Sequence, residues 1–303
     1  MTFNIQHFIK TIILGLFLWF FIDLHTSGDI LKYVNPKYEY ISKIAVGIFI
    51  LLFVIQLFRI LQPKQHTHHI CSSTCNHDHG NGHFSLARLV SYGIITFPII
   101  TGFSFEPATL NASIAGNKGS FLPPVQQNND ESPDLFENAN TLAEHENIDI
   151  YSEDYLPIEN NNYMSNKEYE EKVKSFEASE TIHMSEDMFG TYYGAINDNL
   201  STYIGKTIKI SGFVYKEEGF NANQFVVSRF MITHCLADAS ILGFLTEIDE
   251  AFELAEDTWI EIEGVLDVTN YGGVEIPVIK TTEWQVIDEP SEPYVYPVLT
   301  LTS

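Results

Sequence analysis

The chain has 303 residues, enough for one soluble domain with a sizeable core plus a membrane section. Residues 1–103 hold seven Lys/Arg against four Asp/Glu, whereas residues 104–303 hold nine against thirty-six, which gives the net charge of −24. So acidic a tail, without a stripe of basic side chains, excludes nucleic acid as a partner, and three cysteines cannot staple a fold that lacks its own core.

Three apolar runs open the chain: Thr11–Ile22, Ile44–Phe58 and Leu89–Phe105. Each is slightly short of the ~20 residues that cross a hydrocarbon core of ~30 Å. Each is bordered by a basic residue whose stem can lie along the apolar zone, namely Lys10, Lys43, Arg59 or Arg88. The pattern predicts three transmembrane helices within residues 1–106. The first run has the length of a signal peptide, but it leads into Asp23-Leu24-His25-Thr26 without a small-residue cleavage pattern, which suits an uncleaved anchor. Pro98 interrupts the third run and frees a carbonyl for a neighbouring helix. Flanking charges divide four to four between the two faces and do not orient the chain. Three helices do not make a pore, so a membrane partner is expected.

Between the second and third runs, residues 62–86 form a loop dense in metal donors. His66, His68, His69, Cys71, Cys75, His77, His79 and His83 all fall within eighteen residues. Imidazole nitrogen and thiolate sulfur are the donors that zinc takes in tetrahedral sets, and copper or nickel accept them too. The donors alternate with small residues and specify no single quartet, so the loop reads as overlapping sites for Zn²⁺ or another divalent transition metal. Cys71, Cys75, His77 and His79 form the leading set. The alternatives are a solvated low-complexity loop and a pH sensor charging near pH 6.

Residues 107–180 are rich in Asn, Asp, Glu, Ser and Pro and read as an acidic tether, with helical turns around Asn166–Phe176. Residues 181–303 form a separate soluble domain. Ser185-Glu186-Asp187 can cap a helix running to about Asn199. Strand-like segments follow at Thr207–Tyr215, Gln224–Thr233, Leu242–Thr246, Thr258–Val268 and Val274–Ile287, with a short helical stretch at Ile248–Ala255. Five strands with a helix between the third and fourth predict an all-β, OB-like barrel. Gly212 and Gly264 fall mid-strand, where a small barrel bends or bulges, and Asn270-Tyr271-Gly272-Gly273 fits a hairpin.

No Ser-His-Asp, Walker or dinucleotide signature is present; Gly116-Asn117-Lys118-Gly119-Ser120 lacks the strand and helix of a phosphate loop. The chain reads as a non-enzyme. A second candidate site gathers Arg229, His234, Cys235 and Asp238, where imidazole, thiol and carboxylate could hold a soft divalent ion. The alternative is a purely structural block in which Arg229 pairs with Asp238 to fix a turn.

Three stretches carry a family likeness: Tyr203-Ile204-Gly205-Lys206 with Ser211-Gly212-Phe213-Val214-Tyr215, the block from Phe225 to Ala239, and Pro290-Ser291-Glu292-Pro293-Tyr294-Val295-Tyr296-Pro297. With the apolar N-terminal third they resemble the YcgQ-like family of bacterial membrane proteins. The resemblance implies a subunit of a two-component permease that pairs with a larger polytopic YcgR-like protein in the cell membrane, with the soluble domain outside the cytoplasm. It also implies a link to zinc homeostasis. It leaves open a permease for another small solute such as an amino acid, and a membrane-anchored metal sensor or buffer. Where the family pattern has two adjacent cysteines after Ile-Thr, this chain has His234-Cys235.

Overall fold

The computed structural model describes residues 5–60, 86–105, 107–117, 163–217, 219–249, 251–271 and 273–301. They divide into two compact units, one of residues 1–33 and 38–108, the other of residues 34–37 and 109–303.

The first unit is built on three helices, α1 (Ile5–Ser27), α2 (Glu39–Ile60) and α3 (Leu86–Ser104). At ~1.5 Å per residue α2 is about 33 Å long, enough for the ~30 Å hydrocarbon layer. Two stretches, His7–Ser27 and Pro36–Ile60, are long and apolar enough to cross a membrane. The third apolar stretch, Val90–Ser104, is shorter and contains Pro98. The helices meet through aromatic rings and close approaches at glycine. Phe17 and Phe21 stack on Phe49 with centroids 6.0 and 5.6 Å apart, and Phe20 lies edge-on to Phe103 at 5.4 Å. A Cβ on Gly102 would come within 2.8 Å of the Phe20 ring. At opposite ends of the α1–α2 pair, Gln56 Nε2 lies 2.9 Å from His7 Nδ1 and His25 Nε2 lies 3.0 Å from Ser42 Oγ. No residue of α2 is buried, and Ile44, Ile48, Leu51 and Phe58 are all more than half exposed. A helix that apolar on every side is stable in lipid or against another protein, and not in water.

The second unit is mostly β. It opens with α4 (Ala112–Asn117), β1 (Tyr163–Ser165), α5 (Asn166–Ala178), β2 (Thr181–His183), α6 (Phe189–Asp198) and α7 (Leu200–Tyr203). The strands that follow are β3 (Thr207–Tyr215), β4 (Gln224–Met231), β5 (Ser240–Glu247), β6 (Trp259–Tyr271), β7 (Val274–Val286), β8 (Tyr294–Val295) and β9 (Leu299–Leu301). The sheet runs β2-β3-β6-β7-β5-β4-β8, and a further β3–β4 pairing closes its five central strands into a ring of pairings. Within that ring β5 and β7 are parallel and the other neighbours antiparallel.

Strand periodicity distributes the core. Phe225, Val227 and Met231 of β4 enter one cluster with Ile208, Ile210, Phe244, Ile260 and Ile262, while Val226 and Phe230 enter a second with Ala112, Ala115 and Tyr294. Both faces of β4 are therefore covered, which is why its sequence is nearly continuously apolar. The helical turns expected near Asn166–Phe176 form the full helix α5, N-capped by Ser165 accepting from the Glu168 N–H. Its Phe176 stacks on Tyr192 at 4.2 Å and lies 5.1 Å from Tyr203, contacts worth about 0.5–1.5 kcal/mol each beyond area burial.

Two local expectations change. Ser185-Glu186-Asp187 does not cap α6, whose N-cap is Met188 without a side-chain bond; Glu186 and Asp187 bond instead to Arg229 and Lys172. The short helical stretch expected at Ile248–Ala255 narrows to a single 3₁₀ turn, Ala251–Glu253, with Ile248, Ala251 and Leu254 all in the core. The bulge expected mid-strand is found at Gly264, whereas Gly212 marks a close backbone approach in an unbroken register. Gly264 sits at the register shift between β6 and β7, and a Cβ on Gly212 would lie 2.5 Å from the Ser228 carbonyl oxygen. Gly273, at φ 92°, closes the β6–β7 hairpin with its N–H donating to Asn270 Oδ1.

Candidate functional site

His66, His68, His69, Cys71, Cys75, His77, His79 and His83 lie outside the described residues. The second candidate, at the end of β4, is fully described, and it divides into two parts.

The first part is a turn. After Met231 the chain leaves the sheet through Ile232 and Thr233 and enters a 3₁₀ helix, Leu236–Asp238, whose N-cap is Cys235. Asp238 closes this turn. Its Oδ1 accepts the Cys235 N–H at 3.1 Å, its Oδ2 accepts the His234 N–H at 2.9 Å, and the same Oδ2 lies 2.7 Å from His234 Nδ1. In return the Cys235 side chain accepts from the Asp238 N–H, a reciprocal capping box. His234, Cys235 and Asp238 are thus brought together as the sequence suggested, but the carboxylate is already committed to two backbone donors. Among the described residues no group of three or more His, Cys, Asp or Glu side chains is arranged to hold a metal ion.

The second part is Arg229, which the structure separates from Asp238. It joins segments that precede and follow β4 in the chain: Nη2 donates to Glu186 Oε1 at 3.1 Å and to the Glu292 carbonyl at 2.9 Å. The guanidinium lies 5.0 Å from the Trp259 ring and is 1 % exposed. Burial pulls it below its ordinary value, and the Glu186 carboxylate opposes that pull. An arginine so placed remains charged. It ties β4 to the turn before α6 and to the segment before β8.

That segment completes the site. Tyr294 and Val295 pair in parallel with Phe230 and Met231, and the Ile232 N–H donates to the Val295 carbonyl at 3.0 Å. Two of the stretches singled out in the sequence are therefore neighbours in space. What the sequence did not show is a third neighbour, residues 34–37. Val34 forms an antiparallel bridge with Cys235. Asn35, 2 % exposed, donates from Nδ2 to the carbonyls of Ile232 and Thr233 at 3.0 and 2.9 Å. A buried side-chain amide needs partners for both ends, and nothing in the sequence beyond Asn35-Pro36 itself marks the position.

The chain matches two family profiles, the DUF1980 N-terminal domain over residues 9–121 and the DUF1980 C-terminal domain over residues 159–297. It is 30 % identical to the protein YcgQ of Bacillus subtilis over 300 residues, covering 95 % of this chain and 98 % of the relative. The chain belongs to the YcgQ family. A more distant relative from Streptococcus mutans is 21 % identical over 281 residues, covering 91 % of this chain and 94 % of its own, and is named as a two-component membrane permease complex subunit. The C-terminal profile takes in β1, α5 and β2 as well as the strands of the ring. It also spans the Arg229–Asp238 block and the β8 segment, so the site just described lies wholly inside the family's C-terminal domain except for Val34–Lys37, which falls inside its N-terminal one.

Proposed function

We propose that this YcgQ-family protein is a non-enzymatic accessory subunit of a two-component membrane permease. Its three apolar helices dock on a larger polytopic YcgR-like partner in the cell membrane, and the β unit lies outside the cytoplasm. The observation that carries this reading is α2, apolar all round and without a buried residue, which calls for lipid and a protein neighbour. The name of the Streptococcus mutans relative supports the same assignment. The closed ring of β3, β4, β5, β7 and β6 pairings supports an OB-like barrel for the β unit, and its acidity suits contact with a protein or small ligand. Divalent metal handling, of zinc foremost, is the further part of the proposal. It rests on the eight donors between His66 and His83.

Extraction in mild detergent tests the subunit reading. A larger polytopic membrane protein is expected to co-purify in fixed ratio, and a chain that comes out without one refutes it. The donor density also favours a membrane-anchored metal sensor or buffer. For that reading, deletion of the chain shifts metal tolerance and leaves solute flux unchanged. Replacing the six loop histidines by Ser is expected to weaken zinc binding at least tenfold in either case, and an unaltered binding isotherm removes metal from both.

A further inference from the structure

The connection between α1 and α2 runs from Gly28 to Tyr38, and its Asn35-Pro36 pair has the chemistry of an ordinary surface turn. Its centre is nevertheless part of the β unit. Asn35 makes both of its Nδ2 bonds to Ile232 and Thr233, and its N–H donates to the His234 carbonyl at 3.0 Å. Its Oδ1 accepts the Lys37 N–H at 2.9 Å, and Val34 bridges Cys235. Three of these bonds and the bridge reach residues about two hundred positions later, and all land on Ile232–Cys235, the stretch that leads from β4 into the turn that Asp238 closes.

A second tie enters from the other side in sequence. Six residues after α3, the Leu110 N–H donates to the Tyr294 hydroxyl at 2.9 Å, and the Ala112 N–H donates to Asp257 Oδ1 at 2.6 Å. Ala112 and Ala115 are buried in the second cluster of the β unit. The chain is therefore bonded to the β unit at residues 34–37, just before α2, and again from residue 110, just after α3.

Connectivity then decides sidedness. A segment hydrogen-bonded into a water-soluble domain lies on that domain's face of the bilayer, since backbone and amide groups of this kind find no partners in hydrocarbon. If α2 leaves that face and crosses, as in the function proposed above, the chain reaches the far face after Ile60. It must be back by Leu110. Among the described residues the apolar helix available for that return is α3, whose 19 residues extend about 28 Å at ~1.5 Å each.

We infer that Val34–Lys37 is a strap whose docking on Ile232–Cys235 fixes the sidedness of the whole chain. Strap and β unit share one face, the donor-rich stretch His66–His83 lies on the other, and α3 crosses despite its shortness and its proline. The partner of the turn is this chain's own membrane connection. The two groups of His and Cys singled out in the sequence are on opposite faces and do not combine into one site.

Two measurements on the full chain in its membrane test this. Paired residues in an antiparallel bridge have Cα atoms about 4.5–5.5 Å apart, inside the ~4.4–6.8 Å range of disulfides. Val34→Cys, in a chain with Cys71 and Cys75 replaced by Ser and a protease site inserted after residue 140, is expected to crosslink to Cys235 on mild oxidation. After cleavage the two fragments then migrate together without reductant and separately with it, whereas the control Tyr40→Cys gives separate fragments throughout. Separate fragments from Val34→Cys, or a linked dimer in place of an internal link, overturn the strap.

The second measurement does not depend on that substitution. A chain with Ser201→Cys as its sole cysteine, at an exposed position of the β unit, is compared with one retaining Cys71 and Cys75 alone. With a membrane-impermeant maleimide on intact cells, one of the two chains is expected to label at once and the other only after permeabilisation. Equal labelling of both overturns the inference. Neither readout depends on flux or on a co-purifying partner, so a failure of the permease reading leaves it standing and is recognised separately.

Discussion

The Arg229–Glu186 pair gives a prediction whose size exceeds that of ordinary surface ion pairs. Glu186 is nearly half exposed, its side chain 46 % accessible against 1 % for Arg229, and a pair seen from its side alone would contribute ~0–1 kcal/mol. The asymmetry of burial changes this. Glu186→Ala leaves a buried guanidinium whose Nε has no hydrogen-bond partner among the described residues, with only the Glu292 carbonyl still accepting. Losing a charge-assisted bond under those conditions costs about 2 kcal/mol. Arg229→Met removes the charge together with its desolvation, keeps an apolar stem against Trp259 and returns Glu186 to water, at about 1 kcal/mol. The double variant then resembles Arg229→Met alone, giving a coupling of about 2 kcal/mol. Urea unfolding of the detergent-solubilised chain, followed by Trp259 fluorescence with Trp19 and Trp284 replaced by Phe, measures all four. At a slope near 2 kcal/mol/M the expected midpoint losses are about 1 M for Glu186→Ala and about 0.5 M for each of the other two. A loss below about 0.25 M for Glu186→Ala, or a double variant whose loss equals the sum of the singles, refutes the reasoning.

Two further outcomes follow from the β unit. A Cβ on Gly243 would lie 2.2 Å from the Val227 carbonyl oxygen, whereas one on Gly194, within α6, meets nothing within 4 Å; Gly243→Ala is therefore expected to destabilise by about 2–3 kcal/mol. Gly194→Ala, by contrast, stabilises by about 0.5–1 kcal/mol, and thermal unfolding of the two variants checks both signs. The Asp187 carboxyl is pushed up by burial, but hydrogen bonds from Lys172 and Ser185 outweigh that and hold it below the ordinary carboxylate value. A depressed acid stabilises the fold above its unfolded value near pH ~4 and loses that contribution as pH falls through its folded value. The stability gap between wild type and Asp187→Asn should therefore be full at pH 7 and close by about pH 2, and a gap of equal size at both would remove the pair from the acid response.

The strands were legible because burial writes a pattern into them. Gln224–Met231 and Val274–Val286 fall within a residue or two of the segments expected from β-branched and aromatic runs. The mid-strand Gly264 marked a real register shift. The two long apolar helices were equally plain. What stayed hidden depends on contacts far apart in sequence. The three-residue strands β1 and β2 pair with β9 and β3, respectively, and three residues carry no period. Ser185-Glu186-Asp187 reads locally as a cap, yet its two acids are drawn away by Arg229 and Lys172. Asn35 has the composition of a turn and the burial of a core residue, a conflict that resolves only when the turn at Ile232–His234 comes into view.

The end of β4 thereby explains its own distinctiveness without any chemistry of catalysis. Arg229 holds the turn before α6 and the segment before β8, and the residues from Ile232 to Cys235 receive the strap. Three parts of the chain that are remote in sequence converge on about ten residues, and each uses a backbone carbonyl, a backbone N–H or the guanidinium. Positions 234 and 235 contribute mainly their main-chain groups to that convergence, since Asp238 accepts from both N–H donors whatever side chains they carry. The His234-Cys235 pair can thus stand where the resemblance implies two cysteines without loosening the turn. Asp238 has less freedom, because its two oxygens accept from two separate backbone donors, and a side chain with a single acceptor oxygen or none would leave at least one of them without that bond.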